Sequence, residues 1–113
     1  ITSLAAELGF PGNPAYVAFK GALKQLSKAA ACDLSNTGVR INSVGPGYIK
    51  TNMTAKSWSN KKLKLDRTNR TILGRWGESN DLVGILIFLA SDASSYITGQ
   101  EFYVDGGWLA KGL

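Results

Sequence analysis

The chain of 113 residues contains no histidine, one cysteine and three prolines. With no imidazole and a single thiol, a zinc site has almost no ligands to draw on. Cys32 has no partner for an intramolecular disulfide, which fits a reducing, cytoplasmic setting. Its position in an alanine-rich run favours a small packing residue over a reactive thiol. No apolar run is long enough to cross a bilayer, so a membrane partner is not expected.

Positive charge is concentrated in one stretch of the chain. The formal net charge is +5, and the basic stretch holds Lys56, Lys61, Lys62, Lys64, Arg67 and Arg70. Such a run is typical of a solvated helical face. It would also draw in an anionic substrate such as a sugar acid. Nucleic acid is not an expected partner, because no aromatic-interleaved basic motif accompanies the charge.

Hydrophobic periodicity and breaker residues predict alternating helices and strands in one small domain. The segment 51–73 is expected to form one or two very polar helices. The strongly apolar helix Asp81–Leu89 is expected to be buried, with Ser79 as a candidate N-cap. The other expected elements are a strand tail at Ile1–Ser3, a helix over about Ala15–Ser35, a strand at Val39–Val44 that Gly45-Pro46-Gly47 breaks sharply, and a last strand at Glu101–Val104. This order suits parallel strands joined by crossover helices.

One pair of side chains in the first predicted helix suggests chemistry. Tyr16 and Lys20 are four residues apart, so a helix places them on one face. A nearby ammonium group favours the phenolate, which makes the phenol a usable general acid or base. Ser3 lies thirteen positions before Tyr16, just after the expected strand tail. Alone, this spacing is more typical of a solvated helix face, so its meaning depends on the motifs around it.

Those motifs follow one another in a family-specific order. They are Asn13-Pro14-Ala15-Tyr16, the run from Val39 to Thr51, Gly74-Arg75-Trp76-Gly77-Glu78, Leu89-Ala90-Ser91-Asp92, Ile97-Thr98-Gly99 and Val104-Asp105-Gly106-Gly107-Trp108. In this order they resemble the second half of a short-chain dehydrogenase/reductase, over essentially the whole chain. The resemblance implies an α/β fold. It would be the C-terminal half of a Rossmann-type, doubly wound parallel sheet domain, with α/β/α layers and an incomplete sheet.

The resemblance also implies that part of the domain is absent. Residues 1–113 would be the C-terminal part of a single NAD(P)-binding domain, without its N-terminal dinucleotide-binding half. Gly9, Gly12 and Gly21 do not form a phosphate loop, because prolines lie among them and no strand-length apolar run precedes them. We therefore expect a fragment that self-associates or needs its missing half. The choice between NAD and NADP cannot be read from it.

By resemblance, three residues carry the catalytic chemistry. Tyr16 would be the general acid in ketone reduction and the general base in alcohol oxidation. Lys20 would support Tyr16 and hydrogen-bond the nicotinamide ribose, so both residues would also contact the cofactor. Ser3 would donate a hydrogen bond to the substrate carbonyl oxygen as charge builds on it.

Four further residues would approach the cofactor. Pro46 and Gly47 turn the chain at the carboxyl end of a strand, where ligands bind in open α/β sheets. By resemblance, the Ile49 backbone and the Thr51 hydroxyl approach the nicotinamide carboxamide. Thr51 is equally well explained as a helix N-cap. The segment from about 52 to 73 would be the substrate lid.

The resemblance predicts an NAD(P)-dependent oxidoreductase that interconverts a secondary alcohol and a ketone. The motifs Gly74–Glu78 and Val104–Lys111 look most like those of sugar-acid members, such as gluconate or deoxygluconate dehydrogenases. A 3-oxoacyl thioester is the alternative substrate, and a catalytically inactive fragment or association module is the alternative class. Expected partners are a small alcohol or ketone and either further copies, as a homodimer or homotetramer, or the missing N-terminal half.

Overall fold

A computed structural model describes residues 1–111, and two parallel strands organise it. Strand β1 (Ser43–Pro46) pairs with β2 (Glu101–Val104), with Ser43 opposite Glu101 and Pro46 opposite Val104. The predicted α/β class with parallel strands is confirmed, and β2 has its predicted bounds. The helices are α1 (Pro14–Asp33), α2 (Ala55–Ser59), α3 (Lys61–Arg70), α4 (Val83–Ala90) and α5 (Trp108–Lys111), with short 3-10 turns at Leu4–Ala6, Asn52–Thr54, Ser79–Leu82 and Asp92–Ser94.

Helix α1 confirms the long helix predicted near the start of the chain. It begins at Pro14, because proline at the first helical position sacrifices no internal hydrogen bond. It packs on the first 3-10 turn, where Lys24 forms an ion pair with Glu7. Ser27 reaches β1 through a hydroxyl contact of 2.9 Å to Ser43. Cys32 lies in the last turn and is exposed, so the prediction of a packing role is wrong within the described chain.

Strand β1 starts later than predicted and contains Pro46 instead of ending before it. The Ser43 N–H donates to Gln100 (2.8 Å) and the Gly47 N–H donates to Val104 (2.9 Å). Because alternate residues of a strand face opposite neighbours, residues 44 and 46 present their backbone to the other edge. Pro46 therefore sits where a missing N–H costs the β1–β2 ladder nothing. The sharp break expected at Gly45-Pro46-Gly47 is wrong for this reason.

The segment 39–42, predicted as the body of that strand, is held by side chains instead. Ile41 N–H donates to the Thr98 hydroxyl (3.1 Å), and the Asn42 amide donates to the Ile97 carbonyl (2.9 Å). Ile1–Ser3 is not a strand either. It makes one ladder-like bond, from Thr2 N–H to the Val44 carbonyl (2.9 Å), on the free edge of β1.

Helix α4 is apolar as predicted, but it is not buried. Val83 and Leu86 are 46% and 45% exposed, and Ile87 is 64% exposed. The N-cap before its leading 3-10 turn is Glu78, not Ser79, and the Asp81 carboxylate accepts the Glu78 N–H at 2.7 Å. The burial expected for α4 is thus wrong for residues 1–111, since no described element covers this face.

One half-buried arginine fixes the far end of α4. The Arg40 guanidinium donates to the carbonyls of Leu89 (3.0 Å), Ser91 (3.3 Å) and Ser94 (2.9 Å), and to the Ser94 hydroxyl (2.8 Å). These carbonyls include unsatisfied acceptors that every helix leaves at its C-terminus. Arg40 thereby joins α4 to the segment that leads into β1. No helix in residues 1–111 combines the length and apolar character needed to cross a bilayer.

Candidate active site

The predicted Tyr–Lys pair lies on one face of α1. The Lys20 Nζ is 5.6 Å from the centroid of the Tyr16 ring. It also donates to the Ile1 carbonyl oxygen at 3.0 Å. Both side chains are half-buried. The helical spacing therefore does bring the ammonium group to the phenol ring, and the same ammonium ties the helix to the start of the chain.

Ser3 lies two residues from that tie. Its hydroxyl oxygen accepts the Ala5 N–H at 3.2 Å, which caps the Leu4–Ala6 turn. A hydroxyl that accepts through a lone pair still has its own proton to donate. Ser3 is thus a cap in this structure and also has a donor left for a neighbouring acceptor.

Gly47 occupies a position where no side chain fits. A Cβ placed on it would lie 2.8 Å from the Asp105 Cα. Gly106 and Gly107 follow with φ of 65° and 84°, so the chain turns sharply out of β2 beside Gly47. Pro46 precedes it as the last residue of β1. The strand ends therefore meet backbone to backbone.

Ile49 and Thr51 continue from this point. Ile49 pairs with Gly77 through the Gly77 N–H to Tyr48 (3.0 Å) and the Lys50 N–H to Gly77 (3.0 Å). The Ile49 N–H consequently points away from Gly77. Thr51 has the N-cap position of the Asn52–Thr54 turn, is exposed, and donates its N–H to the Thr54 hydroxyl at 3.0 Å.

The seven predicted site residues fall into two groups. Ser3, Tyr16 and Lys20 gather where α1 meets the chain start, whereas the run from Pro46 to Thr51 follows the carboxyl end of β1. Among the described hydrogen bonds none joins the two groups directly. The bond from Thr2 to Val44 places them along the same strand edge.

A small pocket of about 140 Å³ opens at the carboxyl ends of both strands. Its lining consists of Gly47, Tyr48, Ile49, Thr71, Leu73, Arg75, Gly77, Asp81, Val104, Asp105 and Gly106. Sequence reasoning predicted Gly47 and Ile49 at this strand end but missed the charged pair on the pocket wall. Arg75 donates two bonds of 2.8 Å to the Asp81 carboxylate.

The charged pair of Arg75 and Asp81 stabilises the ionised form of both side chains. The two bonds from Arg75, with the third from the Glu78 N–H, hold the pKa of Asp81 well below its usual value. The hydrogen bond and charge of Asp81 in turn raise the pKa of Arg75. The pair fixes the loop that carries Trp76 against the following turn. The sequence signal for this ion pair is an arginine and an aspartate six residues apart with a glycine between them, a spacing that is common in loops.

Four aromatic rings form a cluster beside the pocket. Tyr48 is central, with ring centroids 5.2 Å from Trp76 and 5.1 Å from Trp108. Trp58 meets Trp76 at 5.3 Å. Trp76 is 4% exposed and donates its indole N–H to the Lys64 carbonyl (3.2 Å), which ties α3 to the loop. We call Tyr48, Trp58, Trp76 and Trp108 the aromatic cluster, and sequence reasoning had not singled out Tyr48.

Cations lie over these rings. The Nζ atoms of Lys64 and Lys50 are 3.7 Å and 4.2 Å from the Trp58 centroid. The Arg67 guanidinium carbon is 4.7 Å from the Tyr48 centroid. A cation over an aromatic face is held by the ring quadrupole without losing its charge. The 52–73 segment thus brings part of its charge against the strand ends, as two helices, which confirms the predicted helical content.

The remaining described residues offer little to a metal or to a pyrophosphate. Residues 1–111 hold no cluster of three or more His, Cys, Asp or Glu side chains that could bind a metal ion. Gly12 has a φ of 80° in a loop, Gly21 lies inside α1, and Gly9 precedes Pro11, so none follows a strand.

Comparison with known proteins places the chain in a family. A family model described as enoyl-(acyl carrier protein) reductase matches residues 1–109. The chain therefore belongs to the short-chain dehydrogenase/reductase family, as its motifs had indicated.

Individual relatives agree with this placement. Gluconate 5-dehydrogenase of Gluconobacter oxydans is 43% identical over 107 residues, covering 95% of this chain and 42% of the relative. A solved gluconate 5-dehydrogenase from Burkholderia cenocepacia, in complex with NADP and tartrate, has a TM-score of 0.94 and 36% identity, covering 96% of this chain and 43% of its own. A 4-hydroxyisoleucine dehydrogenase complexed with NADH and succinate has a TM-score of 0.87 and 36% identity, at 96% and 44% coverage. The chain thus spans less than half the length of these relatives.

Proposed function

We propose that the intact protein is an NAD(P)-dependent oxidoreductase that interconverts a secondary alcohol and a ketone by hydride transfer. The observation that carries this proposal is the contact of Lys20 with both the Tyr16 ring (5.6 Å) and the Ile1 carbonyl (3.0 Å). It gathers an acid/base phenol, a cation and the segment bearing Ser3 in one place. Membership of the dehydrogenase family supports the same chemistry.

The roles proposed for these residues are those that the family resemblance implies. Tyr16 gives a proton to the carbonyl oxygen during reduction and takes it back during oxidation. Lys20 stabilises the phenolate and binds the ribose of the cofactor, while Ser3 donates its free hydroxyl proton to the carbonyl oxygen. The bound nicotinamide supplies or accepts the hydride.

The carboxyl end of β1 suits the nicotinamide. The Ile49 N–H points away from its partner Gly77, and a carboxamide oxygen can accept it. Pro46 and Gly47 bring the backbone to this edge without a bulky side chain, and the exposed Thr51 hydroxyl can contact the carboxamide. Segment 52–73 would cover the site as a lid, while the pyrophosphate would bind a half of the domain outside residues 1–113.

We propose a sugar acid or polyol such as gluconate as the substrate. The relatives named above act on a sugar acid or a hydroxy amino acid, and two were solved with a dicarboxylate bound. The net charge of +5 favours an anionic substrate. A 3-oxoacyl thioester is the alternative; the family description names a reductase of acyl thioesters, although one that reduces the double bond of an enoyl group and not a ketone. Reduction of a ketogluconate but not of an acetoacetyl thioester would decide for the sugar acid.

The proposal extends to assembly and compartment. Phe19 and Leu26 of α1 are 61% and 62% exposed, and Val83, Leu86 and Ile87 of α4 are exposed as well. These faces would be covered by the remaining half of the domain or by further copies, as a homodimer or homotetramer. The exposed free thiol of Cys32 is compatible with a reducing cytoplasm.

Tyr16→Phe in the intact protein tests the catalytic assignment. Loss of a general acid/base lowers the rate about 10²–10⁴-fold. The kcat for ketogluconate reduction, measured from the absorbance of the reduced cofactor, should therefore decrease by a factor in that range. Tyr96→Phe is the matched control, because Tyr96 is 102% exposed and lies in a turn outside α1 and outside the strand ends. A Tyr16→Phe enzyme that keeps its full rate would refute the assignment.

A further inference from the structure

The positive charge of this chain resides in the proposed lid. Segment 52–73 contains six Lys or Arg residues and only Asp66 as an acid, a net +5 that equals the charge of the whole chain. Lys56, Lys61 and Lys62 in this segment are exposed. Lys64 and Arg67 are half-buried. The segment therefore presents two kinds of cation, one facing solvent and one facing the strand ends.

Lys64 and Arg67 are three residues apart on α3, so they share a face of the helix. Lys64 lies over Trp58 and Arg67 over Tyr48, at the distances given above. The ion pairs within residues 1–111 use Lys24, Lys50, Arg70 and Arg75 as cations, and neither Lys64 nor Arg67. Their charges are held in place by rings and are not neutralised by a carboxylate.

Arg67 also has a donor group without a hydrogen-bond partner. Its Nε is buried and has no hydrogen-bond partner, and its Nη1 donates only at 3.3 Å to the Leu63 carbonyl. A buried donor without a partner is costly and uncommon in folded proteins. Since Nε is buried, an incoming carboxylate would be bound by the Nη groups, whose two parallel N–H bonds suit its planar shape.

These cations lie beside the carboxyl end of β1, where the nicotinamide is proposed to bind. Tyr48, under Arg67, directly follows Gly47 at the carboxyl end of β1. Lys50 shares the Trp58 ring with Lys64, so the two ammonium groups lie within about 8 Å of each other. Lys50 is paired with Glu78 at 3.0 Å, so the uncompensated positive charge at this ring comes from Lys64. An anion bound here would therefore be drawn to the mouth of the site.

We propose that Lys64 and Arg67 are specificity-determining residues that bind the carboxylate of the substrate. This inference rests on the proposed function. Arg67 would form paired hydrogen bonds with the carboxylate, and Lys64 would add a third contact from the same helical face. The rings of Trp58 and Tyr48 hold both cations in position before the substrate arrives, which lowers the ordering cost of binding. The exposed lysines of the segment would play no such part.

Four variants of the intact protein separate local contact from general charge. Lys64→Met and Arg67→Met remove the proposed contacts, whereas Lys61→Met and Lys62→Met remove one exposed charge each from the same helix. Steady-state kinetics with gluconate and with the neutral polyol sorbitol, and calorimetric binding of gluconate in the presence of oxidised cofactor, supply the readouts. Loss of a charge-assisted hydrogen bond weakens binding about tenfold or more.

We expect Lys64→Met and Arg67→Met to raise KM and the calorimetric Kd for gluconate about tenfold, with kcat for gluconate and kcat/KM for sorbitol within about twofold of the wild type. The exposed-lysine variants should stay within about twofold on both substrates. The inference would be overturned, with the proposed function left intact, by any of three results. They are an equal loss of gluconate affinity in all four variants, an equal loss of kcat/KM on gluconate and on sorbitol, and no loss of gluconate affinity in any variant. An intact protein that neither binds nor turns over any sugar acid would overturn both.

Discussion

Gly47→Ala should destabilise the intact protein, because the new methyl group has nowhere to go. Its carbon would lie 2.8 Å from the Asp105 Cα and 3.1 Å from the Asp105 Cβ. Ordinary carbon contacts begin near ~3.5 Å, so the turn after β2 must move away by roughly 0.7 Å. Since the obstructing atom belongs to the backbone, no side-chain rotation relieves the overlap. Overpacking of this kind costs about 1–3 kcal/mol.

Urea unfolding followed by far-UV circular dichroism measures that cost as a lower midpoint at unchanged slope. Gly21→Ala is the matched control. Gly21 lies inside α1, and a methyl group added to it would meet nothing within 4 Å, so alanine there should add about 0.5–1 kcal/mol of stability. If Gly47→Ala is as stable as the wild type while Gly21→Ala gains stability, the contact between the strand ends is not the constraint described here.

Two further predictions concern polar groups away from the site. Arg40→Met should lower the free energy of unfolding by about 1–3 kcal/mol in a urea titration, because the carbonyls of Leu89 and Ser94 lose their donor; a change below about 0.5 kcal/mol would mean that water replaces the guanidinium. Burial, followed by the charge of Glu101, raises the pKa of Tyr103 to about 12 from 10.0, while the Tyr103 hydroxyl donates to the Glu7 carboxylate at 2.8 Å. The folded state therefore holds this proton more tightly than the unfolded chain, so its stabilising contribution is present below pH 10.0 and is lost as pH rises toward about 12. Glu101→Gln should move the phenolate absorbance titration of Tyr103 downward by part of the shift, and an unchanged titration would contradict the contribution assigned to the Glu101 charge.

Elements with strong local signals were predictable from the sequence. Helix α1 has apolar residues at helical spacing and a proline at its first position, and both signals act within the helix itself. Strand β2 is a short run bounded by glycines, and its observed bounds match the prediction. Tyr16 and Lys20 were predicted to share a face because that depends only on four-residue spacing along α1.

Features that depend on distant neighbours were not predictable in the same way. Proline usually argues against a strand, and Pro46 is tolerated only because its missing N–H faces the free edge of β1. The apolar sequence of α4 predicted burial, but burial requires a covering element outside the described chain. The contact of Arg67 with Tyr48 joins residues whose sequence separation gives no periodic signal.

The aromatic cluster also determines which part of this molecule tryptophan fluorescence can monitor. All three tryptophans of the chain, Trp58, Trp76 and Trp108, are in that cluster. Their emission therefore samples segment 52–73 and the strand ends, since no tryptophan lies in α1 or α4. A ligand that orders segment 52–73 would change the emission, whereas local fraying of α1 around Tyr16 would leave it unchanged. Emission and far-UV dichroism, read together, would distinguish a change in segment 52–73 from loss of α1.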